Sequence, residues 1–278
     1  MKKDFSFSRW LGLLIFSSIV IYGCDSGPSY NSPTLTAQAI RAKDMATRIA
    51  IDLRGTEAFD AQQVEATTQA FQAALETNEK WPLILNDSFD QDTNAWPTGS
   101  DKGSLADISW KIEDGKYRWQ ATAKDAFVWW AYPEMDSVAD LYLSADTEQI
   151  SGPVDGEWGL IYRVTSEDDY YLFEINAQQD YCVYLHQGGD WEALVDWTPS
   201  DAIQADQVNK LAVIAQGTQF LFFINGQFIT QLSDDRLDAG QTGVLIGLSN
   251  VGDQGTWEFD NFSLRSPDNP VSTQTPVP

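Results

Sequence analysis

The stretch from Pro82 to about Ser266 constrains the fold most, because it is a succession of short apolar, β-branched and aromatic runs separated by turn residues. Runs such as ADLYLSAD, YYLFEIN and KLAVIAQ have strand length, and together they are numerous enough for two packed sheets. Asp114-Gly115 and Asn225-Gly226 lie between such runs. Both central residues of a type I′ turn need positive φ, so these dipeptides predict β-hairpins. The pattern predicts an all-β sandwich.

A helical pattern precedes the β region. Apolar residues recur at steps of three and four, the spacing of one helix face, from Leu35 to Leu53 and again from Val64 to Leu75. These segments predict an α-helical spacer over residues 34–80, ahead of a β domain over residues 82–266. A stalk, a helical hairpin packed on the β domain and a short coiled coil remain open. The Pro-, Ser- and Thr-rich residues 267–278 predict a disordered tail.

The N-terminus has the layout of a secretory signal, with basic residues ahead of an apolar run that ends at Gly23. The following IYGC, residues 21–24, resembles the lipobox of bacterial lipoproteins. That resemblance implies that residues 1–23 are a cleaved signal peptide and that Cys24 carries lipid, which holds the protein outside the cytoplasm on a membrane. An uncleaved membrane anchor is the alternative, although the run is shorter than the roughly 20 residues needed to span a bilayer. Residues 24–33 predict a flexible tether.

Charge and cysteine content exclude several classes of function. The formal net charge of −24 argues against a nucleic-acid partner, because basic side chains must neutralise phosphate for binding. Once Cys24 carries lipid, Cys182 is the remaining thiol, so no intrachain disulfide is expected. Cys182 and His186 on one strand would lie roughly 13 Å apart. This distance is too long for a nucleophile and its base.

The β region resembles the concanavalin A-like jelly rolls. The segments that carry the resemblance are DSFD, IEDGKYRW, GLIYRV followed by YYLFEIN, WEALVDWTPSDAI, FFINGQFI and FDNFSL. They are similar to bacterial exported domains that are laminin-G-like or labelled as 3-keto-disaccharide hydrolase-like, and they cover nearly all of residues 83–265. The resemblance implies a concanavalin A-like jelly-roll sandwich. Lectins, glycosidases and interaction modules all use such folds, so it implies no single activity.

The stretch FEINAQQD resembles the catalytic strand of family-16 glycosidases. Glu174 matches the nucleophile of that family, but Asn176 replaces the following Asp, and Gln178 or Gln179 replaces the acid and base. A carboxamide cannot donate and retake the required proton, so we predict no catalytic residues and favour a non-enzyme. An ion pair with Arg163, placed diagonally on the neighbouring strand, is the structural interpretation of Glu174.

Aromatic residues suggest a binding site. Adjacent Trp129 and Trp130 must point to opposite faces of a strand, so one of them faces away from the core. Indoles stack on sugar rings, although core packing is the competing interpretation for each Trp. The candidate ligand-binding residues are Trp129, Trp130, Trp158, Arg163, Glu174, Asn176, Trp191 and Trp197.

Three aspartates flank the first and last predicted strands, which neighbour each other in many jelly rolls. Asp87, Asp90 and Asp260 are therefore candidate ligands of a structural calcium ion, and no other cofactor is expected.

The sequence as a whole predicts a lipid-anchored extracytoplasmic module that binds a polysaccharide or another glycan without cleaving it. A glycoside hydrolase of the glucanase type and a surface scaffold for protein partners are the alternatives.

Overall fold

The computed structural model describes residues 65–267, which form one helix and two antiparallel β-sheets. The helix, α1, spans residues 65–78. The strands are β1 (Leu83–Asp87), β2 (Gly99–Lys102), β3 (Ala106–Glu113), β4 (Lys116–Ala123), β5 (Phe127–Ala131), β6 (Leu141–Ser151), β7 (Glu157–Ser166), β8 (Asp169–Asn176), β9 (Asp180–Gln187), β10 (Asp190–Pro199), β11 (Asn209–Gln216), β12 (Gln219–Ile224), β13 (Gln227–Ser233), β14 (Gln241–Leu248) and β15 (Gln254–Arg265). The predicted signal segment with Cys24, the tether, the first helical pattern and nearly all of the predicted tail lie outside the described residues.

The two sheets pack face to face. The larger has the strand order β13-β12-β11-β6-β15-β4-β3-β2, with β1 also paired to β15, and the smaller has the order β10-β9-β8-β7-β14-β5. The expected neighbours β1 and β15 pair with Asp87 opposite Phe262. The prediction of an all-β jelly-roll sandwich is confirmed. Within residues 65–267, no helix has the length and apolar character needed to cross a membrane.

Every second side chain of a strand points into the space between the two sheets, and these side chains form the core. Trp119 of β4 and Trp257 of β15 are fully buried there. On β5, Trp129 packs against this core, whereas Trp130 belongs to an apolar cluster on the outer face of the smaller sheet. The expectation that the two adjacent indoles point to opposite faces is confirmed, because successive side chains of a strand alternate.

Both predicted hairpin turns are present. Asp114 and Gly115 have φ values of 53° and 70° between β3 and β4, and Asn225 and Gly226 have values of 52° and 75° between β12 and β13. These positive values are those that type I′ turns require. The two dipeptides therefore fix the pairing of their flanking strands.

The predicted ion pair between Arg163 and Glu174 is wrong, because β7 contains a bulge. The register between β7 and β8 shifts between Tyr162 and Ser166, and Arg163 within the shift has φ of 51°. Glu174 lies opposite Gly159 instead of diagonally across from Arg163. A regular ladder would have kept Arg163 on the face of Glu174, but the bulge turns its side chain away.

The Arg163 side chain instead joins three loops. Its guanidinium donates hydrogen bonds to the backbone oxygens of Ala139 at 3.0 Å, Gly217 at 2.8 Å and Leu237 at 2.8 Å, and it lies 4.9 Å from the ring centroid of Phe220. The side chain is 1% exposed. Arg163 is therefore a structural residue and does not reach the outer face of the smaller sheet.

Helix α1 packs on the outer face of the larger sheet. Leu75 is buried against β6, β11 and β12, and Phe71 stacks on Phe228 of β13 at 4.0 Å between ring centroids. The helical hairpin stays a prediction, because its first helical pattern lies outside the described residues. The role of residues 34–80 as a spacer stays a prediction.

Candidate functional site

The outer face of the smaller sheet carries a cleft of about 190 Å³. Each of five strands contributes to it, and β10 contributes two indoles. We call it the Trp191 cleft, and its lining residues are Val128, Glu157, Glu174, Tyr184, Trp191 and Trp197.

A glycine in the intervening strand leaves room for one of the carboxyl groups. Gly247 of β14 pairs with Val128 on one side and with Glu157 on the other. A Cβ atom added to Gly247 would lie 2.8 Å from Glu157 Oε2. The Glu157 side chain therefore occupies the space above Gly247, which only glycine leaves free.

The two carboxyl groups of the cleft are diagonal neighbours. Glu157 of β7 pairs with Asn176 of β8, and the next pair on the same face is Gly159 with Glu174. The two glutamates are therefore diagonal to each other across the two strands. Glu174 is only 3% exposed, and its Oε2 accepts a hydrogen bond from Cys182 Sγ at 3.6 Å. Its Oε1 has no hydrogen-bond partner among residues 65–267. A buried carboxyl group with one unpaired oxygen is thus part of the cleft lining.

Burial disfavours the ionised form of both acids. Desolvation, followed by the negative charge of Glu157, raises the pKa of Glu174 well above its usual range. Desolvation, followed by the charge of Asp155, raises the pKa of Glu157 to about 7. Desolvation also raises the pKa of the Cys182 thiol, so this group is neutral at physiological pH. The protein environment therefore favours the protonated form of both carboxyl groups.

An aromatic wall borders the carboxyl pair. Trp191 is 49% exposed, and its ring centroid lies 4.5 Å from that of His186, 6.2 Å from that of Tyr184 and 6.0 Å from that of Tyr170. These three ring contacts hold the indole in place. The exposed remainder of Trp191 provides a fixed apolar surface beside two polar groups.

Three of the candidate ligand-binding residues meet in this cleft, namely Glu174, Trp191 and Trp197. Trp130 lies on the same outer face but packs on Tyr170 at 4.7 Å between ring centroids, outside the cleft lining.

The other candidates have structural roles. Trp129 and Trp158 face the core, and Trp158 Nε1 donates a hydrogen bond to Thr147 Oγ1 at 3.1 Å. Asn176 Oδ1 accepts hydrogen bonds from the backbone N–H groups of Gln178 at 2.9 Å and Asp180 at 3.1 Å. This arrangement closes the turn between β8 and β9, which contains Gln178.

Sequence reasoning missed Val128, Glu157 and Tyr184. One signal was available for Tyr184: alternation along β9 places it on the face of Cys182, which lies opposite Glu174 after the tight β8–β9 turn. Glu157 is harder to find, because its position relative to Glu174 depends on the bulge in β7.

The three candidate calcium ligands already have protein partners. Asp87 accepts hydrogen bonds from the backbone N–H of Phe89 and from Asn94 Nδ2, both at 2.8 Å, and Asp260 forms an ion pair with Lys116. Asp90 accepts a hydrogen bond from Ser88. Within residues 65–267 no group of three acidic, His or Cys side chains could hold a metal ion. We interpret the three carboxylates as structural, and a calcium ion at them stays a prediction.

Two larger grooves lie on the outer face of the larger sheet. One, of about 420 Å³, is lined mainly by Ser, Thr, Gln and charged side chains of β2, β3, β4 and β15. The other, of about 460 Å³, lies near the end of α1 and contains Tyr142, whose hydroxyl already donates to Glu79. Among the described residues that line these two grooves there is no indole, so the Trp191 cleft is the better candidate for ligand binding.

No protein-family model matches the chain, and no curated protein matches its sequence. Solved structures are similar in fold. The carbohydrate-binding module CBM66 from Bacillus subtilis is 18% identical, with a TM-score of 0.49 over 63% of this chain and 98% of that one. The catalytic domain of an endo-1,3-beta-glucanase (laminarinase) from Thermotoga petrophila RKU-1 is 11% identical, with a TM-score of 0.48 over 68% and 99% of the two chains. A Bacillus subtilis protein of unknown function with a galectin-like fold is 13% identical, with a TM-score of 0.48 over 66% and 96%.

Proposed function

We propose that this protein binds carbohydrate without cleaving it and that the Trp191 cleft is the binding site. The supporting observation is a half-exposed indole held beside two carboxyl groups. The apolar face of a sugar ring can stack on Trp191, and the oxygens of Glu157 and Glu174 can accept hydrogen bonds from its hydroxyl groups. Fixed aromatic surface with a few polar groups is typical of small-ligand sites.

Retention on immobilised polysaccharides, with a parallel assay of released reducing sugar, tests this proposal. We expect retention on at least one polysaccharide, unchanged by a chelator and without product. Retention that the chelator abolishes would show a required metal and contradict our interpretation of the three aspartates. Failure to bind every polysaccharide would contradict the proposal and favour a scaffold for protein partners.

A glycoside hydrolase is the second candidate, and the Glu157–Glu174 pair is the observation that favours it. Retaining glycosidases use two carboxyl groups about 5 Å apart, one of them with a raised pKa. The 3% exposure of Glu174 and its contact with the Cys182 thiol argue against attack on a sugar carbon. Reproducible sugar release that Glu174→Gln abolishes would establish the hydrolase and exclude the non-catalytic proposal.

We further propose that Cys24 carries lipid and holds the protein at a membrane outside the cytoplasm. The IYGC motif at the end of an apolar run supports this proposal. In a bacterial host fed radiolabelled palmitate, Cys24→Ala will lose the label, while Cys182→Ala will keep it. Cys182 is the matched control because it is the other cysteine of the chain. An unlabelled wild-type protein that still sediments with membranes would favour the uncleaved anchor instead.

A further inference from the structure

The described lining of the Trp191 cleft contains two acidic side chains and no basic one. When Glu157 or Glu174 ionises, no Lys or Arg among the lining residues that the structure describes balances its charge. Glu174 is only 3% exposed, and its Oε1 has no hydrogen-bond partner among the described residues. A buried carboxyl oxygen without a donor is costly, so a ligand that supplies a donor would gain the interaction that the protein lacks.

The aromatic lining favours a positively charged donor. Trp191, Trp197 and Tyr184 line the same cleft, and the rings of Trp191 and Tyr184 are 6.2 Å apart in an edge-to-face arrangement. The faces of aromatic rings attract cations, with Trp the strongest of the three types. Aromatic side chains combined with carboxylates are the arrangement that recognises an organic ammonium group.

On the basis of the proposed function, we infer that the cleft selects glycans with free amino groups, such as oligomers of glucosamine. The ammonium group would lie between the indole of Trp191 and the carboxyl pair, while the sugar ring stacks on the aromatic wall. Neutral sugars leave the carboxyl charge unmatched. Uronic acids and sulfated sugars bring a charge of the same sign as that of the ionised carboxyl groups and are disfavoured.

The surroundings reinforce this selectivity. The titratable groups near the carboxyl pair or the aromatic wall are Asp155, Tyr170, Cys182, Tyr184, His186 and Asp196. Strands β5 and β14 contribute Val128 and Gly247, which carry no charge. Arg236 forms ion pairs with Glu192 and Asp234, so its charge is already balanced.

Binding of an ammonium group should release a proton. Its positive charge favours the ionised form of Glu157 and lowers the pKa of that group below about 7. In slightly acidic solution, where Glu157 is mostly protonated, the ligand therefore displaces a proton. The affinity falls as the pH falls further below 7, because the proton and the ligand then compete for the same carboxyl group.

Calorimetry with a glucosamine tetramer and an N-acetylglucosamine tetramer at about pH 6.5 tests the inference, because both protonation states of Glu157 are populated there. We expect the free amine to bind about tenfold tighter or more. The amines of the ligand also titrate near this pH, but they do so equally with the wild type and with Glu157→Gln. Two buffers of different ionisation enthalpy will therefore show that the amine releases more protons from the wild type than from Glu157→Gln, and the acetylated ligand will show no such difference. Glu157→Gln and, as a second variant, Glu174→Gln will reduce the preference, whereas Glu167→Gln on the exposed β7–β8 turn will keep it.

The outcomes separate this inference from the proposed function. Equal affinity for the two tetramers, lost in Trp191→Ala, would overturn the amine preference and leave carbohydrate binding in this cleft intact. An amine preference that both Gln variants retain would also overturn the inference, because the carboxyl pair would then have no role. Failure to bind any saccharide would overturn both proposals.

Discussion

Trp191→Ala will weaken glycan binding by at least about 30-fold, which corresponds to roughly 2 kcal/mol and is typical of a central aromatic contact. The indole is the half-exposed aromatic surface of the cleft, so its removal takes away the stacking face but leaves both carboxyl groups in place. Titration calorimetry with the best-retained oligosaccharide measures the loss.

Ile150→Ala is the matched control. Ile150 is 48% exposed, as Trp191 is 49% exposed, but it lies at the end of β6 in the larger sheet. We expect the Ile150→Ala variant to bind the glycan as tightly as the wild type, and thermal unfolding will show that both variants fold. If Trp191→Ala binds as tightly as the wild type, the ligand site lies elsewhere on the molecule.

Arg163→Met will lower the free energy of unfolding by about 3–5 kcal/mol, the range seen when a buried polar partner is removed. Methionine replaces the unbranched aliphatic part of the side chain and is also a non-glycine residue at a φ of 51°, so backbone strain stays similar. The change removes the donors that satisfy the carbonyls of Ala139, Gly217 and Leu237. Urea-induced unfolding measures the effect.

Arg118→Met provides the comparison for this loss. Arg118 forms ion pairs with Glu113 and Glu258 on the outer face of the larger sheet, and its side chain is 31% exposed. Exposed ion pairs contribute about 0–1 kcal/mol, so this variant should be nearly as stable as the wild type. Equal losses in the two variants would show that the carbonyl contacts of Arg163 contribute no more than a surface ion pair.

The parts of this fold that sequence reasoning predicts depend on local geometry. Alternation is a property of a single strand, so it places Trp129 and Trp130 on opposite faces without knowledge of the neighbours. The Asn225-Gly226 turn likewise follows from the φ values that two residues must adopt. Both features can be predicted because they involve few residues that are adjacent in the chain.

The composition of the cleft depends on the register between strands, and here sequence reasoning was incomplete. A regular ladder from the β7–β8 turn places Arg163 near Glu174. The bulge at Arg163 changes that register and brings Glu157 beside Glu174 instead. The sequence around the bulge has no glycine to mark it, because the positive φ is adopted by the arginine itself. The distant carbonyls that hold Arg163 stabilise this conformation, and they cannot be identified from the local sequence.

The docking of α1 was also undetermined by its periodicity. An amphipathic stripe predicts that one face is covered, but it does not identify the covering surface. Phe71 and Leu75 are covered by the aromatic outer face of β12 and β13. Residues 65–78 are therefore part of the packed β domain.

The buried contact between Cys182 and Glu174 gives this protein a built-in reporter of unfolding. A soluble form that begins after Cys24 has a single sulfhydryl group, which is fully buried in the smaller sheet. Because only the thiolate reacts and burial raises the pKa of this thiol, alkylating reagents can modify it only after the strands separate. The rate of alkylation therefore measures how often β8 and β9 open, without any introduced label.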